Sequence, residues 1–215
     1  MARPISHRLR HVTLATLLAS GALIAVAADG SDARPAPPDL AELKSLVETG
    51  RSVASFCANC HGAAGISKYP DVPNLAGQNP GYLLRQVEAF ASGQRKSEFM
   101  NGLMKLLSPR ERAGIANYYA SLNVVPSMPK PASGVAGGAA RFEQICARCH
   151  GDDALGDEKH PRLAGQKPEY LRINMERYYT PTKVRFYAPM TAAMTRLGRD
   201  NMEDMIQYLS SLDTN

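Results

Sequence analysis

One motif, written twice, constrains this chain more than any other feature. Cys57-Ala58-Asn59-Cys60-His61 recurs as Cys146-Ala147-Arg148-Cys149-His150, and the residues that follow recur with it. Pro73-Asn74-Leu75-Ala76-Gly77-Gln78 corresponds to Pro161-Arg162-Leu163-Ala164-Gly165-Gln166, and Tyr82-Leu83 to Tyr170-Leu171. Met100 and Met104 correspond to Met190 and Met194, and Ser121-Leu122 to Ser211-Leu212. The offsets all lie between 88 and 90 residues. Motifs that recur in one order at near-constant spacing are the mark of a tandem duplication. A chain of 215 residues then divides into two small domains.

The spacing within the motif explains its chemistry. On a helix, positions i, i+3 and i+4 share one face. Two thiols three residues apart reach the two vinyl groups of one porphyrin and form thioethers. The imidazole one residue later points at the iron. Cys-x-x-Cys-His is thus a c-type haem attachment site, with Cys57, Cys60, Cys146 and Cys149 as covalent anchors and His61 and His150 as iron ligands. Three other uses of four cysteines compete: disulfides, a four-thiolate zinc site and a redox dithiol. None of them requires a histidine directly after the second cysteine in both copies.

Composition agrees. There is no Trp, and aromatic residues make up 7% of the chain. Two domains this small lack core-forming rings, and a buried porphyrin supplies the missing apolar mass in each.

The duplication also sets the domain plan. Residues 1–27 read as a secretory signal: Arg3, Arg8 and Arg10 precede the apolar run Val12–Val26, and Ala25-Val26-Ala27 fits the small-x-small cleavage rule. The apolar run is short for a membrane span, so cleavage is expected to leave a soluble periplasmic protein. Residues 28–38 form a proline-bearing leader, 39–125 domain one, 126–138 a Pro/Gly-rich linker and 139–215 domain two. The prolines at 126, 129 and 131 cannot continue a helix. Of the 25 Lys and Arg, three lie in the signal, which leaves 22 against 20 acidic residues and a near-neutral mature chain. No basic run supports nucleic-acid binding.

Each repeat reads as all-α. Asp39 is placed to cap a helix running toward Cys57, a second helix follows Pro80, and Ser108-Pro109-Arg110-Glu111 combines a capping box with proline at the first helical position. Repeat two offers helices at roughly 139–149, 168–178 and 199–212. Distal iron ligands are sought on the C-terminal side of each repeat, where the Met pairs stand. A thioether is a soft donor that stabilises ferrous iron. Met100 and Met190 are preferred over Met104 and Met194, because Asn101-Gly102 and Pro189 signal loops that could carry a side chain across the haem face. His160, which has no counterpart in repeat one, is the rival ligand in domain two, and its plainer reading is an exposed loop residue. The acidic stretch Asp152, Asp153, Asp157, Glu158 reads as a solvated loop.

With these residues in place, the chain resembles the dihaem cytochrome c4 family of class I cytochromes c over about residues 40–213. The resemblance implies two class I cytochrome c domains packed about a pseudo-twofold axis, each wrapped around one covalent haem c with His/Met ligation. It implies that the Pro73 and Pro161 carbonyls accept a hydrogen bond from the proximal histidines. It further implies that a glycine and an aromatic of the first helix pack on the last helix. Gly50 and Phe56 suit those positions in domain one, and Ala139 and Ile145 stand there in domain two.

Three functions compete. In the leading one, a soluble or peripherally held periplasmic carrier takes electrons from a quinol-oxidising complex or a dehydrogenase and delivers them to a terminal oxidase. No residue is then catalytic. In the second, the chain is the electron-transfer subunit of a larger oxidoreductase of the sulfide or alcohol dehydrogenase type. A dihaem peroxidase is third; it needs an open iron coordination site, against which the two Met candidates argue.

Overall fold

The computed structural model describes residues 39–127, 135–180 and 187–212. The signal and leader expected at 1–38, and part of the linker, lie outside the described residues. Those described are helical, with no strand among them. Repeat one contributes α1 (Leu40–His61), α2 (Pro80–Ala91), α3 (Glu98–Leu106) and α4 (Pro109–Ala120). Repeat two contributes α5 (Val135–Ile145), α6 (Ala147–His150), α7 (Pro168–Tyr179), α8 (Ala188–Leu197) and α9 (Met202–Ser211), the last preceded by a 3-10 turn at Arg199–Asn201. Helix α5 thus begins inside the segment read as linker. None of the helices among the described residues is long and apolar enough to cross a membrane.

The sequence signals for helix ends hold in repeat one. Asp39 accepts the Glu42 N–H at 2.8 Å. Ser108 and Glu111 form the full capping box, with Pro109 opening α4. Repeat two lacks a side-chain cap at the matching place, and its last helix starts through the 3-10 turn instead.

Each repeat is held by a crossing of its first and last helices. A Cβ on Gly50 would lie 2.1 Å from the Gly114 carbonyl oxygen. The two backbones therefore touch, and only glycine fits between them. In repeat two the same role falls to Gly138, where a Cβ would sit 2.4 Å from the Asp204 carbonyl oxygen. The position expected from the family pattern, Ala139, is one residue away. The aromatic partners also differ from expectation. Phe56 is 56% exposed, and Ala54 is buried in its stead. In repeat two Phe142, not Ile145, is the buried ring, packed 5.6 Å from Tyr208. A helix face repeats every three to four residues. Ala54 and Phe142 each follow their glycine by four and share its face, whereas Phe56, six residues after Gly50, points away from it, and Ile145 packs only partly buried against the core.

Two apolar cores result. One gathers Leu83, Val87, Met104, Ile115, Ala116 and Tyr119, and the other Phe142, Leu171, Met194, Met205, Ile206 and Leu209. Between them the two Pro-x-Leu-Ala-Gly-Gln segments face each other. Gln78 donates from Nε2 to the Arg162 carbonyl at 2.9 Å and accepts the Arg162 N–H at 2.7 Å. Gln166 does the same to Asn74, donating at 3.0 Å and accepting at 2.9 Å. The pairing is reciprocal, as a twofold relation between the repeats requires. The acidic stretch is partly drawn into this junction. Glu158 accepts the Gly81 N–H at 2.6 Å, at the start of α2, where a helix end leaves its N–H groups unpaired.

Candidate haem-binding site

Helix α1 runs unbroken through the first motif and stops directly after it, with the Gly62 N–H bonded to the Ala58 carbonyl at 2.9 Å. In repeat two the helix breaks at Cys146 and resumes as the short α6, which ends at His150. The Gly151 N–H then bonds the Ala147 carbonyl at 2.8 Å. Both motifs therefore end a helix and project their side chains from its final turn. Cys57, Cys60, His61, Cys146, Cys149 and His150 all line one continuous cavity of about 1110 Å³.

All four thiols are free of disulfides. Burial raises the Cys57 pKa and pushes that of Cys146 up to about 11, so both stay as neutral thiols. A reactive dithiol needs thiolate. No group of three His, Cys, Asp or Glu side chains placed to hold a metal ion occurs among the described residues. The competing uses of the cysteines find no support in this arrangement.

The two histidines are prepared alike. His61 Nδ1 donates to the Pro73 carbonyl at 3.0 Å, and His150 Nδ1 donates to the Pro161 carbonyl at 3.0 Å. Burial lowers both imidazole pKa values. A neutral ring whose Nδ1 carries the proton presents its Nε2 lone pair outward. In His150 that Nε2 is buried without a hydrogen-bond partner. A polar atom orphaned at a cavity wall costs free energy unless a ligand satisfies it. Haem iron is such a ligand, and neutral thiols beside it are what thioether formation consumes. The residues present fit a c-type haem in each repeat.

Met100, Met104, Met190 and Met194 also line the cavity. The sequence placed Met100 and Met190 on loops; both lie instead near the starts of helices, α3 and α8. Neither helix was expected. The loop signals were misleading because Asn101 turns inward and accepts the Ser97 N–H at 2.9 Å, ordering the first turn of α3, while Pro189 sits in the first turn of α8, where proline is tolerated. Within each pair the second Met is the more deeply buried, Met104 at 1% and Met194 at 3% exposed. The first of each pair stands at the margin of the apolar core.

His160 belongs to the loop that supports His150. Its Nδ1 is 3.0 Å from Asp157, and its ring centroid lies 6.1 Å from that of His150. Sequence reasoning missed four buried residues that line the cavity and join the two repeats: Asn74, Gln78, Arg162 and Gln166. The repeated Pro-x-Leu-Ala-Gly-Gln segment was the available signal, but a repeat does not say that its two copies touch.

Comparison with known proteins follows the same lines. The family model for cytochrome c matches residues 47–123 and 135–213. Cytochrome c4 of Pseudomonas aeruginosa is 35% identical over 61% of this chain and 70% of its own length. The crystal structure of reduced cytochrome c4 from Pseudomonas stutzeri superposes with a TM-score of 0.70 at 26% identity, covering 78% of this chain and 98% of that one. A thiosulfate dehydrogenase electron acceptor from Stutzerimonas stutzeri is 27% identical over 74% of this chain and 80% of its own length.

Proposed function

From the premise that this chain belongs to the cytochrome c4 family and is a dihaem electron-transfer cytochrome with two covalent haem c groups, we propose that it is a periplasmic carrier linking a quinol-oxidising complex or dehydrogenase to a terminal oxidase. Residues 1–27 serve as its export signal, and 39–125 and 139–215 as its two haem domains. His61 and Met100 ligate the first iron, and His150 and Met190 the second. The observation that carries this reading is that both attachment motifs open on one cavity, so two redox centres stand in a single enclosure.

Each haem, when bound, supplies an iron that takes up and gives back one electron. The protein's own residues do the rest. Cys57, Cys60, Cys146 and Cys149 fix the porphyrins by thioether bonds. Pro73 and Pro161 hold the imidazole rings in one tautomer, with the proton on Nδ1 and the Nε2 lone pair left to bind iron. Leu83, Met104, Leu171 and Met194 keep water from the apolar faces. Met100 and Met190 would complete the ligand sets begun by His61 and His150, and irons so held would have no position to offer a substrate. The protein orients, insulates and tunes.

The test is reconstitution. Membranes stripped of c-type cytochromes should regain electron flow from quinol to oxygen when the isolated protein is added. No recovery would overturn the reading. The second reading, service as the electron-transfer partner of a dehydrogenase, is favoured by the likeness to the thiosulfate dehydrogenase acceptor. It predicts stoichiometric recovery of this chain with a dehydrogenase subunit from native extracts.

A further inference from the structure

The hydrogen bond that holds each proximal histidine does not end at the proline carbonyl. The carbonyl of Pro73 and the N–H of Asn74 belong to the same peptide group. His61 donates to that carbonyl at 3.0 Å, and the Asn74 N–H donates to Gln166 Oε1, in the other repeat, at 2.9 Å. The arrangement is mirrored. His150 donates to the Pro161 carbonyl at 3.0 Å, and the N–H of the same peptide group, on Arg162, donates to Gln78 Oε1 at 2.7 Å. All four junction residues are buried: Asn74, Gln78, Arg162 and Gln166. Each glutamine is locked in place by its second bond, from Nε2 to the following carbonyl.

A peptide group is a resonant unit, and its C=O and N–H polarise together. An acceptor on the N–H draws electron density toward the carbonyl oxygen, and hydrogen bonds in such a chain strengthen one another. The carbonyl then pulls harder on the imidazole Nδ1–H. A ring whose proton is pulled away is more electron-rich and a stronger donor through Nε2, which favours the ferric state. We propose that Gln78 and Gln166 are crossed positioning residues: Gln166 lowers the reduction potential of the haem on His61, and Gln78 that of the haem on His150. Each domain thereby sets the potential of its neighbour's iron through three covalent bonds of one peptide. The inference rests on His61 and His150 as iron ligands but not on which partners the protein serves.

The crossing is what makes it testable. In the intact dihaem protein, Gln166→Met keeps the buried volume and removes both bonds to Asn74, together with the local bond from the Lys167 N–H. The potential of the His61 haem should rise, and that of the His150 haem should move much less. Gln78→Met should give the opposite pattern. Potentials are read by spectroelectrochemistry, with haem methyl resonances assigning each step to its domain. In the ferrous state the Nδ1–H resonance of the affected histidine should shift upfield and its exchange with solvent should quicken. Gln166→Asn and Gln78→Asn, one methylene short of reach, should reproduce both shifts if the Met variants fail to fold. Asn79→Ala loosens the same junction by removing bonds to the Leu155 and His160 carbonyls without touching either relay peptide. It should leave the crossed pattern absent. Shifts confined to the mutated residue's own haem, equal shifts of both haems, or potentials unchanged in all Gln variants would each overturn the proposal.

Discussion

Arg162 reaches across the junction between the repeats to Gly77, its Nε 3.1 Å from that residue's carbonyl oxygen. Its other nitrogens bond the carbonyls of Ala76, at 2.6 Å, and Ala164. The side chain is 3% exposed, and burial lowers its pKa to about 10, which still leaves it cationic at neutral pH. Among the described residues no carboxylate forms an ion pair with it; backbone dipoles take the charge. Arg162→Met removes all three bonds and leaves buried carbonyls unsatisfied, at about 1–3 kcal/mol for each group. The unfolding free energy from denaturant titration should fall by roughly 2–4 kcal/mol after partial relaxation. A loss below about 0.5 kcal/mol would mean the bonds are not made in solution.

The methionine pairs separate by variant. If Met100 and Met190 are the distal ligands, Met100→His or Met190→His exchanges a thioether for a stronger nitrogen donor, and the potential of that haem should fall by roughly 100 mV or more. The weak charge-transfer band of ferric Met–iron ligation should halve in each variant and vanish in the double. Met104→Leu and Met194→Leu keep apolar volume in the buried cores and should leave the band in place. The reverse result would move the ligand assignment to the second Met of each pair.

Gly50→Ala places a methyl 2.1 Å from the Gly114 carbonyl oxygen. Backbone stands on both sides, so the helices must separate. Such overpacking costs about 1–3 kcal/mol, read as a lower denaturation midpoint of domain one. Gly102→Ala is the control: a Cβ there meets nothing within 4 Å, and in a helix it should be neutral or slightly stabilising.

Asp157 gives the acid limb a defined sign. Hydrogen bonds from the His160 N–H, the His160 ring and the Lys159 N–H hold its carboxyl at about 2, below the ordinary 3.8. The folded state therefore binds this proton more weakly than the unfolded chain. Its contribution is complete above about pH 4 and is lost as pH falls through about 2. Asp157→Asn keeps an acceptor but cannot titrate. Thermal melts between pH 5 and 2 should show a shallower fall in Tm for the variant, and parallel curves would remove Asp157 from the account.

The local sequence determined what depends on short spacing. The placement of two thiols and an imidazole at i, i+3 and i+4 fixed both haem attachment sites, and cap chemistry at Asp39 and Ser108 fixed two helix starts. The repeat fixed the number of domains. Only the tertiary structure decided which residues meet. That Gly138 rather than Ala139 makes the second helix crossing depends on the helix's rotation, which one residue changes by 100°. That Met100 and Met190 ride on short helices depends on packing against the core, which overrides an Asn-Gly or a proline read as a loop. That Gln78 clasps the peptide beside His150, and Gln166 the one beside His61, depends on two surfaces meeting across the duplication. A sequence records each copy of a repeat, but the contact between copies exists only once both have folded.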